Sequence, residues 1–207
     1  MTDLIPRGLT DLFVYFVPGA ALLATVIYAF APNWLKRGEQ KVGLGEAALA
    51  LLLTFLLGVV LFRVSEFVIW PFSWLLRRGV LEGVIADFPD SQGLCAGLSS
   101  KLQIDFKTNI DCYRFASQLV HDRAPRSAET AERLLAFSLM ARSLLLGVPV
   151  AAGVLIWRFR RSRWWAVASV LATGLILEAL FAKIFLVYWS AAVWRVLRSY
   201  VVWRAFG

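Results

Sequence analysis

From Trp164 to about Ala192 the sequence runs almost without interruption through apolar residues, and only Glu178 and Lys183 carry charge there. A helix needs about 20 such residues to cross the hydrocarbon core of a bilayer. Lipid rather than water is therefore the solvent this stretch is built for. A carboxylate and an ammonium at that depth are costly, so each is expected to face the interior of a helix bundle or to serve a function. The hydrophobic fraction of 59%, above the roughly 45–50% of soluble domains, says that this stretch has companions.

The first companion is Leu12–Ala31, interrupted by Pro18-Gly19. Ala29-Phe30-Ala31 imitates a signal-peptidase site, but Asp3 and Asp11 against Arg7 make a poor leader, and the apolar run is long for one, so a retained span is expected. Pro18 breaks helices in water, whereas neighbouring helices in lipid can satisfy the carbonyl it frees. A second span runs over about 46–66 and continues as an interfacial extension through Trp70, Pro71 and Trp74 to Arg78, with a bend expected at Pro71. A third covers about 142–158, with a possible kink at Pro149, and a fourth about 164–189, followed by an amphipathic tail. Arg158, Arg160, Arg161 and Arg163 form the basic turn between these last two. The predicted fold is an all-α membrane protein: an N-terminal hairpin over 1–78, a small α-rich head over 79–126, and a C-terminal hairpin over 127–207.

Within the head, Val80–Asp87 reads as one or two helical turns, 88–100 as loop and Leu102–Phe106 as a short strand. Thr108 and Asp111 resemble a capping box opening a helix to about Asp122, Pro125 ends it, and Ser127 is placed to cap the next.

The net charge of +8 does not point to nucleic acid. Residues 80–133 hold six bases against eight acids, so the basic excess lies beside the membrane segments, where anionic headgroups attract it. Membrane lipids are thus the expected partners, with no direct nucleic-acid binding. Cys95 and Cys112 have no metal-ligand spacing and read as two free thiols of the cytosolic kind. Asp87 and Asp90 supply too few oxygens for a cation. No metal or cofactor is expected.

Helical rise gives each intramembrane charge a depth. Measured from the side of the two short loops, Glu178 lies about 21 Å deep, Arg142 about 22 Å, Arg63 about 26 Å, Lys183 about 28 Å and Glu66 about 30 Å. All five fall in the leaflet nearer the head. Arg142 is level with Glu178 and Lys183 with Glu66, which suggests pairing. The layer reads as an ion-pair belt fixing helix register, as the polar lining of an oligomer, or, for Lys183 and Arg63, as side chains snorkelling to the surface. Gly19, the pair Gly147/Ala151 and the pair Ala168/Ala172 are candidate positions for close helix approach.

Two local patterns suggest relatives. Arg114 and His121, an Arg-x6-His pair on the predicted head helix, resemble the signature of HEPN-type ribonucleases, with Phe115 where a polar residue is usual. That resemblance implies an RNA-cleaving site shared between two protomers. Tyr15-Phe16-Val17-Pro18-Gly19 resembles the Tyr-x-x-Pro-Gly first span of small uncharacterised bacterial multi-pass membrane proteins, some of them linked to antiviral defence. That resemblance implies an oligomeric inner-membrane effector or channel-like protein, controlled through its head by a cytosolic sensor protein or nucleotide signal. A non-enzymatic scaffold or accessory subunit is the alternative, and a membrane-tethered ribonuclease the second. Positive charge near the membrane is evenly split between the two sides. With free thiols and the effector resemblance added, the head is expected in the cytoplasm.

Overall fold

The computed structural model describes residues 4–31, 43–86, 109–160 and 164–206. Among these the chain forms five helices and no strand: α1 (Leu4–Phe30), α2 (Leu44–Ala86), α3 (Asn109–Arg123), α4 (Pro125–Phe159) and α5 (Trp164–Phe206). Four of them, all but α3, are long and apolar enough to cross a membrane. The predicted strand at 102–106 and the acids Asp87 and Asp90 lie outside the described residues.

Several boundaries differ from expectation for local reasons. α1, α2 and α4 continue through Pro18, Pro71 and Pro149. α2 runs on to Ala86, well past the expected interfacial extension. α4 starts at Pro125, two residues before the expected cap at Ser127. Proline suits the first position of a helix because its missing N–H would have no partner there. The Ala124 carbonyl does the work at that end, accepting from the N–H groups of Ser127 (2.9 Å) and Ala128 (3.1 Å).

The chain divides into two compact units. The first joins Met1–Trp70 to Leu139–Phe185, and the second joins Pro71–Ser138 to Leu186–Gly207. Both cut across the hairpins read from the sequence. In α2, α4 and α5 the first unit takes the stretches Leu44–Trp70, Leu139–Phe159 and Trp164–Phe185. At 1.5 Å per residue these are about 39, 30 and 32 Å long, enough to cross the roughly 30 Å of a hydrocarbon core. The first unit is therefore the membrane unit.

The second unit has an apolar core of its own. Cys112, Ala116 and Val120 of α3 pack with Ala128 and Ala131 of α4 and with Trp189, Val193, Val196, Leu197 and Tyr200 of α5. The α5 positions recur at intervals of three and four, the period of one helix face. The expected amphipathic tail is thus part of this core. Cys112 is held in a disulfide, contrary to the two free thiols expected, and the chain's other cysteine, Cys95, lies outside the described residues. Nothing in the spacing of two lone cysteines could have announced the bond.

Candidate functional site

In the membrane unit α1 and α2 touch backbone to backbone. A Cβ built at Gly58 would overlap the Tyr15 carbonyl oxygen, and one built at Gly19 would overlap that of Thr54. Glycine is required at both positions because only hydrogen fits between the helices. The contact pairs Tyr15-x3-Gly19 with Thr54-x3-Gly58, so the residues of the first-span motif are packing residues. Gly58 joins the packing positions expected from the sequence, and Thr54-x3-Gly58 is itself a small-xxx-small pattern.

One turn beyond this crossing lies the charged site. The Tyr15 ring meets Phe62 edge-on at 5.2 Å, and the Arg142 guanidinium lies over the same Phe62 ring, 5.0 Å from its centroid. Arg142 is 4% exposed, and its Nε–H has no hydrogen-bond acceptor. The nearby opposite charge acting on it is that of Glu66, which also bridges Arg63 at 3.5 Å one turn back on α2. A desolvated guanidinium over an aromatic face gains about 2 kcal/mol. The buried hydroxyls of Ser65 and Ser143 turn back on their own helices, donating to the carbonyls of Phe62 and Leu139.

The expected pairs, Arg142 with Glu178 and Lys183 with Glu66, do not form. Depth fixes one coordinate, and rotation about the helix axis fixes the other. Leu144, two residues beyond Arg142, lines a cavity bordered by α1 and α5 together with Val148 and Ala151. Two residues are about 200° of rotation, so Arg142 turns to α2 instead. On α5, Gly174 meets Ala152 and Val148 of α4. Lys183, nine residues on, sits about 180° away and is exposed, while Glu178 is half-buried. Among the described residues neither Glu178 nor Lys183 has an ion-pair partner.

The remaining candidates are scattered. Gly147 approaches Leu61 of α2, Ala151 borders a cavity, and Ala168 and Ala172 are exposed. In the second unit Arg114 is exposed, and the His121 Nδ1 lies 3.5 Å from Glu132 of α4 with both side chains about half exposed. Arg114 and His121 stand two turns apart and are not in contact; a shared site needs a second protomer. Beside them the Tyr113 hydroxyl is pushed up to about 12 by burial. Among the described residues no three His, Cys, Asp or Glu side chains converge as metal ligands. Comparison finds no family model, characterised protein or solved structure that the chain matches.

Proposed function

We propose that the protein is an oligomeric, channel-like membrane protein in which α5 forms the face between protomers. One observation carries this reading: Glu178 lies inside the membrane unit without an ion-pair partner among the described residues. Carboxylates at mid-membrane cost about 2.5–3.5 kcal/mol by insertion scales, unless they meet a partner or water. Of the four candidate spans α5 is the least buried. Its outer surface carries Leu171, Leu175, Ile176 and Leu180 together with Lys183. A neighbouring copy, or water enclosed by several copies, removes the cost. The first-span resemblance supplies a setting, that of a membrane effector.

Subunit counting by single-molecule photobleaching in lipid bilayers tests the assembly, and ion flux from liposomes tests the conduit. More than one bleaching step, with flux altered by Glu178→Ala, is expected. A single step for the wild-type protein sinks the proposal. An intact oligomer without flux favours the scaffold reading, which the Arg142–Phe62–Glu66 lock also supports, since it commits a buried arginine to register.

The disulfide at Cys112 bears on orientation. Such bonds persist in oxidising compartments, and a dense arginine turn favours the cytoplasmic side. Together they favour the head outside and Arg158–Arg163 inside, which reverses the orientation expected from free thiols. A cytosolic partner would then meet the arginine turn. Maleimide labelling of intact cells with and without an impermeant reductant tests this: labelling that appears only after reduction supports the orientation, and labelling only after lysis and reduction defeats it.

A further inference from the structure

The membrane unit contains a cavity of about 470 Å³ bordered by α1, α4 and α5. Its depth comes from missing side chains. Ala21 of α1, Gly147 and Ala151 of α4 and Gly174 of α5 leave space where larger residues would have closed the bundle. Along α5 the lining extends from Ser169 to Phe181, twelve residues or about 18 Å. That is slightly more than one leaflet of a hydrocarbon core about 30 Å thick. On α4 the lining reaches Leu155, two residues from Trp157, so the cavity starts near the short-loop surface and ends past the midplane.

The charge at its mouth narrows the choice of occupant. Arg158 stands about one turn above Leu155 and is exposed. Arg160, also exposed, lies over the Trp157 ring at 5.2 Å. Arg161 and Arg163 follow in sequence. Cations above an apolar slot one leaflet deep complement a phosphate carried on a fatty acyl chain. A soluble anion has no use for the slot, and a zwitterionic lipid has less use for the arginines.

We propose that this cavity binds one acyl chain of an anionic phospholipid from the short-loop leaflet, with its phosphate held at Arg158 and Arg160. The Ser169 hydroxyl is among the lining groups nearest the mouth and stands where it can donate to an ester carbonyl. The site is separate from Glu178 and does not depend on oligomerisation.

Native mass spectrometry of the purified, delipidated protein tests the site. The probes are 1-palmitoyl-2-oleoyl phosphatidylglycerol and the phosphatidylcholine with the same chains. One retained lipid is expected, with phosphatidylglycerol preferred about fivefold for each arginine engaged. Ala151→Phe, which fills the slot, should abolish retention of both lipids. Arg158→Gln with Arg160→Gln should remove the preference and keep the adduct. Ala21→Leu narrows the slot from α1 and provides the same reading if Ala151→Phe does not accumulate. Equal retention of the two lipids by the wild-type protein overturns the proposal, as does retention that survives both filling variants. A lipid-free dimer that Ala151→Phe dissociates also overturns it, by making a second copy the occupant.

Discussion

The two units of this protein solve opposite packing problems. In the second unit packing rests on side chains, and α3, α4 and α5 bury apolar groups such as the fully enclosed Leu197. In the membrane unit the surroundings are as apolar as the side chains, so burying another leucine gains little. What holds there is close approach: backbone against backbone at Gly19 and Gly58, and a guanidinium over Phe62. One unit is sensitive to what is removed from it and the other to what is added.

The largest test of that contrast is Gly58→Val. With the Tyr15 carbonyl already in contact, the added side chain should separate α1 from α2 and cost more than about 3 kcal/mol, measured by reversible unfolding in mixed micelles. Leu197→Ala should cost about 3 kcal/mol by leaving a cavity, whereas Leu175→Ala, at a residue 72% exposed on the membrane unit, should stay within about 0.5 kcal/mol. Equal costs for these two leucines would break the comparison. Glu66→Gln should cost less than the roughly 3 kcal/mol of a fully buried pair, because Glu66 is itself half-exposed.

A pH series sharpens the picture of the second unit. Burial holds Tyr113 neutral up to about 12, against an ordinary value of 10.0. The unfolded chain loses this proton first, so stability should decline as pH rises from 10 toward 12. Tyr113→Phe should flatten that part of the pH–stability curve. The smallest effect is expected at the half-exposed His121–Glu132 pair: His121→Ala should change stability by no more than about 0.5 kcal/mol and leave cellular RNA intact. RNA cleavage lost in that variant would establish the ribonuclease reading.

Much of the fold was legible because hydropathy and length speak directly about bilayers. The four long apolar helices follow from runs such as 12–31 and 164–192, whose composition leaves no aqueous alternative. The partners within the charged layer were not legible. Counting residues from a loop gives depth, and Arg142 and Glu178 do have similar depths by that count. Which way each side chain turns depends on where neighbouring helices touch, and that depends on Gly58 and Gly174; a small-xxx-small pattern such as Thr54-x3-Gly58 marks a close approach without naming the helix it meets. Pro125 was read as a breaker because proline ends one helix as readily as it begins another. The role of α5 beyond residue 189 was obscured for a different reason: its apolar face resembles an interfacial tail until α3 is there to cover it.

α5 is a helix of 43 residues that contributes to both units, and beyond Gly174 it contains neither proline nor glycine. A segment like that has no elbow at which to absorb a twist. Within the membrane unit, a turn imposed at Phe185 therefore reaches Glu178 as rotation of the whole shaft, in the way a key turns at its bit when the bow is gripped.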